Sequence, residues 1–517
     1  MRTNIIILIT IFFSIGNVKA QIPNRIKQSI LQFIKKTDKL NNSESIKSKV
    51  AKFSSNAPNE KVKYEALKLM LEKSNSDLVK KVLKELLKNK KVIRNNTQKI
   101  PPKKEDSYTL LKGAIVIDAV SDIGKKGDIL IMNDKIVAIS YNNTIKTPEN
   151  TEVYNLEGKY IIPGLIDGHV HITHGTLKEG QKKLELALKQ GVTGVRDMGG
   201  DGRMLALLKR NMKIEEYKGA DVFFSTILAG PNFFKHDNRP QSVAKGAIAG
   251  KVSWQMSITN QSDFRDIISQ VKGLGATAIK VYQDVDKHVF KKVANEAHKQ
   301  GLKVWAHAVI RPAKAIDVTN GGADVMSHAS DLIQYEFLQE GVKQRHEFSS
   351  REEARAYAKK LNSYSWDKNT YEVKQLFKAM KKNNSILDAT LFVNYYTSKP
   401  TDSLRYKKAV KNTKIAYDMG VKISAGSDHI LSIKEDNIPF INIHKELELL
   451  VNAGLTNIDA LKAATIINAE VLGEEKNIGS IEKGKQANLV ILNANPLDNI
   501  TNTKKIKMVI KRGKIIN

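Results

Sequence analysis

The chain of 517 residues carries 84 Lys and Arg against 54 Asp and Glu, a formal charge of +30, with 41% hydrophobic residues and no cysteine. That length suits one large barrel with accessory regions rather than a single minimal domain. The lack of thiols excludes structural disulfides, a lipid-modified cysteine anchor and thiolate chemistry, so any metal must be held by His, Asp, Glu or a modified Lys.

The charge by itself would suit a polyanion or a membrane surface. Its distribution does not: residues 21–107 hold 22 Lys and Arg against 9 Asp and Glu, and the remaining excess is spread along the chain. Aromatic residues do not interleave with the basic ones as a single-strand platform requires, so no nucleic-acid partner is expected.

In chain order, "MRTNIIILITIFFSIGNVKA" has a basic start at Arg2, an apolar core from Ile5 to Ile15, and Val18 and Ala20 at the −3 and −1 positions before Gln21. Residues 1–20 read as a cleaved signal for export to a periplasmic or secreted location, with an uncleaved N-terminal anchor as the alternative. No later segment approaches the ~20 apolar residues of a membrane span. Residues 21–107 read as a basic helical region ending in a polar linker at 96–107. Ile26, Ile30, Phe33 and Ile34 share one helical face, and "VKYEALKLMLEKS" and "SDLVKKVLKELLKNKK" repeat the pattern. Its form is a hairpin repeat or a packing arm, and its partner is unknown.

From Tyr108 the chain becomes short strands with Gly, Asn and Asp turns, as does its C-terminal end. Residues 108–162 and 475–517 thus suggest one small β-sandwich domain built from both flanks. Between them, residues 163–474 alternate strands and helices. Strands are expected at 161–171, 192–197, 220–228, 276–283, 303–308, 323–329, 385–393 and 421–427, which is the count and length of a (β/α)8 TIM-type barrel. The fold class is therefore α/β, with the barrel, the β-domain and the N-terminal helical region.

In such barrels the chemistry sits at the C-terminal strand ends. His169 and His171 end strand one in "PGLIDGHVH" and point to one face, being two apart in a strand. Lys280 lies in strand four, His307 ends strand five in "KVWAH", His328 ends strand six in "ADVMSH", and Asp428 follows strand eight in "AGSD". Lys280 stands among apolar neighbours, where an unpaired ammonium is costly, so it needs a partner or a chemical change.

From about residue 108 onward, these motifs together with "GVTGVRDMGG" and "GSIEKGKQANLVILNANPL" resemble the amidohydrolase superfamily, most closely its imidazolonepropionase and prolidase-like branch. Asn488 departs from the Asp usual in the last motif, and the N-terminal helical region lies outside the resemblance. The resemblance implies two divalent metal ions, Zn²⁺ suiting the imidazole and carboxylate donors. His169, His171 and Asp428 would hold one ion and His307 and His328 the other, with Lys280 carboxylated by CO₂ and bridging both. It also implies attack by a metal-activated hydroxide, with Asp428 as the catalytic proton shuttle. A single-ion site with an ion-paired structural Lys280 stays open.

Arg196, ending strand two, and Tyr282, just past Lys280, are candidates to bind a substrate carboxylate or carbonyl oxygen, or else to pack the barrel. The long loop after strand three and the 331–380 insertion after strand six are the expected specificity elements. His174, His236 and His429 are candidates on loops; His288 and His298 are expected to face solvent. The function expected is an exported metal-dependent amidohydrolase cleaving an amide or peptide C–N bond in a dipeptide or N-acyl amino acid. The alternatives are a mononuclear cyclic-amide hydrolase or deaminase, and a non-catalytic binding protein. A homo-oligomer stays open.

Overall fold

The computed structural model describes residues 24–40, 42–54, 60–94, 106–141, 145–397, 403–428 and 442–516. The export signal expected at 1–20, most of the linker and His429 lie outside the described residues. The chain divides into two compact units, 1–105 and 106–517.

The first unit contains helices Asn24–Thr37, Ser43–Ser54, Glu60–Lys73 and Asp77–Arg94. Apolar residues spaced four apart, Ile30 with Ile34, Ile46 with Val50 and Val79 with Leu83, converge on its core with Leu67 and Met70. The second helix falls where the Asn- and Ser-rich sequence reads as a break. Asn42 starts it, its side-chain oxygen accepting from Glu44 and Ser45 N–H at 2.8 and 3.2 Å. Asp38, past the first helix, accepts from Ser74 and Asn75, before the fourth, and ties the two ends together.

The second unit joins a sheet to a barrel. Strands Tyr108–Val116, Lys125–Met132, Lys135–Ser140, Thr151–Asn155 and Tyr160–Pro163 share one continuous eight-stranded sheet with Leu489–Leu492, Ile506–Lys511 and Lys514–Ile516. Tyr160–Pro163 pairs in parallel with the first strand and antiparallel with Leu489–Leu492, so the two flanks meet there. Leu111, Ile129, Ile136, Ile161, Leu489 and Ile491 form its core. Asn488 fits locally: its side-chain oxygen accepts from Arg512 N–H at 2.8 Å.

The barrel strands are Leu165–Val170, Val192–Asp197, Asp221–Ala229, Ala278–Val281, Lys303–His307, Val325–Ser327, Ile386–Asp388 and Ile423–Ser424, each parallel to the next. Gly168 N–H donates to Ala425 O at 2.9 Å and Asp428 N–H to His169 O at 2.8 Å, joining first to last. The helix Leu177–Lys189 shows why the outer layer forms. Thr176 and Glu179 make a reciprocal cap at its start, and Leu184, Ala187 and Leu188 bury one face. Gly191, with φ +79°, ends it in the left-handed conformation that glycine adopts freely.

Strand seven is shorter than the 385–393 expected. Thr390 turns left-handed, and Leu391–Thr397 is a helix whose first N–H groups donate to the buried Glu446 carboxylate at 3.0 and 2.5 Å. That carboxylate is invisible to a propensity argument at position 391. Among the described residues, no helix is long and apolar enough to cross a membrane.

Candidate metal centre

Trp305, Arg196 and Lys280 are among the largest fully buried side chains of the chain. Two cations inside a barrel demand anionic or hydrogen-bonding partners. Asp388, ending strand seven, is the hub: its Oδ2 accepts from Arg196 Nη2 at 2.8 Å and from Ser327 Oγ at 2.9 Å, and lies 2.7 Å from His169 Nδ1. Lys280 Nζ donates to Ser327 Oγ at 3.0 Å. The result is a hydrogen-bonded line from strand four through strands six and seven to the histidine of strand one.

Above this floor opens a cavity of about 770 Å³, whose wall includes His169, His171, His307, His328 and Asp428. Asp428 Oδ1 is 3.3 Å from Nε2 of both His169 and His171, and its Oδ2 is 3.6 Å from His328 Nδ1. Ligand atoms of His169, His328 and Asp428 all lie within 4.8 Å of one another, enough for one ion. The His307 ring is 4.6 Å from that of His328. Nδ1 of both His171 and His307 is buried without a hydrogen-bond partner. His328 and Asp428 have φ of +78° and +49°, a cost on the order of 1 kcal/mol or more each that aims their side chains inward.

Burial keeps these imidazoles available as lone-pair donors. It pushes the pKa of His328 down to about 3, lowers His169, and holds His307 well below the usual value with help from the Lys280 charge. His171 differs: burial lowers it, but the hydrogen bond and charge of Asp428 prevail and raise it. Burial would raise Asp428, yet His169, His171 and His328 hold its carboxyl far below the carboxylate range. Burial takes Lys280 down to about 7 against the pull of Asp388. Neutral imidazoles, a carboxylate and orphaned ring nitrogens are the donor set a divalent cation takes, so the residues fit such an ion.

Two further carboxylates orient this rim. Asp167 accepts from Ser427 N–H and Oγ at 3.0 and 2.7 Å and from His169 N–H at 3.2 Å. Asp388 fixes the tautomer of His169 so that Nε2 faces the cavity. Gly426 is obligatory beside them, because a Cβ there would lie 2.5 Å from Asp388 Oδ1 and 2.6 Å from His169 Cβ.

The two substrate candidates diverge. Arg196 is fully buried, bonded to Gly168 O and Asp388 and stacked 4.7 Å over Trp305, so its guanidinium is closed to a ligand and the substrate-binding expectation is corrected. Tyr282 does line the cavity, its hydroxyl donating to Met198 O at 3.0 Å and its ring 4.5 Å from His307. His174 lines it too, while His236 instead stacks on His346 at 4.6 Å. The loop after strand three supplies Phe233, Arg239, Pro240 and Val243. Among the described residues of 331–380, only Asp331 reaches the wall, and Tyr371–Lys382 instead buries Val373, Leu376 and Phe377.

Sequence reading missed Asp167, Asp388, Ser327 and the cavity arginines Arg239, Arg311 and Arg405. Asp167 and Asp388 each had a signal, a carboxylate inside an expected strand.

Residues 160–516 match the amidohydrolase family. Over 103 residues the chain is 35% identical to an imidazolonepropionase of Fusobacterium nucleatum, covering 19% of this chain and 24% of that protein. Over 414 residues it is 22% identical to a 5'-deoxyadenosine deaminase of Methanobrevibacter smithii, covering 75% and 85%. The first match thus spans about a quarter of its relative's length. Among solved structures, a Xaa-Pro dipeptidase with bound methionine in the active site is 20% identical with a TM-score of 0.61, over 80% of this chain and 100% of that one. An ochratoxinase of A. niger is 18% identical with a TM-score of 0.61, over 80% and 96%. The barrel, its strand-end histidines and the extent of the family match lead to one assignment: the chain belongs to the amidohydrolase family.

Proposed function

We propose that this chain is an exported, metal-dependent hydrolase of an amide C–N bond in a dipeptide or N-acyl amino acid. The observation that carries the reading is the convergence of His169, His328 and Asp428 in one cavity with His171 and His307, above a buried Lys280. His169, His171 and Asp428 would hold one cation and His307 and His328 a second. Divalent ions there would polarise the scissile carbonyl and bring the pKa of water from ~15.7 toward ~7.

The remaining work falls to the chain. Lys280, with a pKa of about 7, presents a large fraction of neutral amine at neutral pH. A neutral amine is the form that CO₂ would carboxylate, with release of one proton, and the resulting carbamate would add an anionic oxygen donor to the site in place of a buried amine. Asp428 accepts the proton released by the attacking water and delivers it to the departing nitrogen. Asp388 and Asp167 hold the strand-one histidine and the strand-eight loop in register for that transfer.

The test combines metal analysis with turnover on a library of dipeptides and N-acyl amino acids, with chelator controls. Two ions per chain are expected, and Asp428→Asn should keep most metal while losing most turnover. One tightly bound ion would reject the carboxylated-lysine bridge, and near-normal turnover would remove the proton-shuttle role. A single-ion deaminase or cyclic-amide hydrolase is the second reading, favoured by the three-ligand cluster and by the deaminase relative. The same metal count separates the two.

A further inference from the structure

Three arginines face the cavity, and they are not equivalent. Arg239 is already paired, its Nε and Nη2 meeting both oxygens of Asp237 at 2.6 to 3.1 Å. Arg405 is exposed, 3.4 Å from Ser330 Oγ and 3.8 Å from Asp331. Arg311 is half-buried, and no carboxylate among the described residues pairs with it. Its Nη2 donates to the Tyr335 hydroxyl at 2.9 Å and its guanidinium lies 5.3 Å over that ring. Its backbone is fixed as well, the carbonyl accepting from Val285 N–H at 3.0 Å. It stands four residues beyond His307, so it lies at most ~14 Å along the chain from that ring's backbone.

A guanidinium held by a tyrosine, with no other partner for its N–H groups among the described residues and lining a ligand cavity, is built for a planar anion. The cavity is also lined by apolar side chains: Ile227, Phe233 and Val243 come from strand three and the loop after it. The cavity therefore offers both a cationic group and apolar side chains around the histidine cluster.

We propose that Arg311 is the carboxylate-binding residue of this cavity, with Arg405 as a second contact, so that the amide bears a free carboxylate on one side of the scissile bond and an apolar group on the other. This rests on the amide-hydrolase reading above and adds to it the specificity residue. Tyr335 is a positioning residue: it orients the guanidinium without touching substrate.

The test uses the full-length, metal-loaded protein and paired probes, N-acetyl-phenylalanine and its C-terminal amide, in both turnover and calorimetric binding. The free acid should be favoured about 100-fold in kcat/KM and in affinity over the amide. Arg311→Met should abolish that preference by weakening the acid alone, Arg311→Lys should restore part of it, and Tyr335→Phe should reduce it by about tenfold with kcat little changed. Arg239→Met should leave the preference within about threefold, since Asp237 already matches that charge. An acid preference that survives in Arg311→Met, in protein whose circular dichroism and melting match the parent, overturns the proposal. Equal handling of acid and amide by the parent overturns it too, while leaving the hydrolase reading intact. Acid-selective binding that Arg311→Met removes, with no turnover of either probe, upholds the carboxylate site and counts against the hydrolase reading.

Discussion

Asp388→Asn is the sharpest probe of how the barrel holds its metal ligands. The substitution preserves shape: all three donors meet Oδ2, and Oδ1 has no partner, so an amide can seat its oxygen at the first and its nitrogen at the second. What disappears is the charge. Arg196 and Asp388 are both wholly buried and 2.8 Å apart. At an effective dielectric of about 20 their attraction is about 6 kcal/mol, and breaking such a pair costs about 3–5 kcal/mol. Chemical denaturation of metal-free protein should show a loss in that range. Competition with a chelating dye should show zinc affinity reduced by about 10- to 100-fold, because His169 loses the carboxylate that orients it. Arg196→Met combined with Asp388→Asn should lose less than the two single changes summed, since removing both charges leaves neither unpaired. A single-variant loss below about 1 kcal/mol, or strict additivity in the double variant, would refute a buried ion pair as the support of this site.

Other expectations follow from named atoms. Gly426→Ala places a methyl 2.5 Å from Asp388 Oδ1, and should cost about 1–3 kcal/mol and most of the bound metal; normal metal content would contradict the crowding. Glu336 is buried and its pKa is raised from 4.5 to about 7 by that burial. Its carboxyl is neutral in both states below the lower value and ionised in both above the higher, so folding stability falls as pH rises between them. Glu336→Gln should therefore match the parent near pH 4 and exceed it by about 3 kcal/mol near pH 8, read by urea denaturation; a pH-independent difference would sink the assignment.

The parts legible in sequence and the parts hidden from it separate by chemistry. Imidazoles are few, and at the ends of apolar runs they stand out: His169, His171, His307 and His328 line one cavity because each lies at or just past the C-terminal end of a parallel strand. Lys280 was conspicuous for the same reason, a charge among Ala278, Ile279 and Val281. Arg196 offered the same pattern in "GVTGVRD", yet its role is the reverse of a ligand contact. A strand presents alternate residues to the barrel interior and to the helices, and sequence does not say how deep along the strand the interior gives way to the open cavity. Arg196 lies below that boundary and Tyr282 above it. Arg311 was harder still, because an arginine before a proline reads as an ordinary surface loop. The packing of Tyr335, 24 positions later in the chain, holds its guanidinium at the cavity. Ligands that act through their own side chains leave local traces, and the strand carboxylates Asp167 and Asp388 leave a fainter one, whereas a residue defined by what it touches, such as Arg311, becomes visible only when the strands are brought side by side.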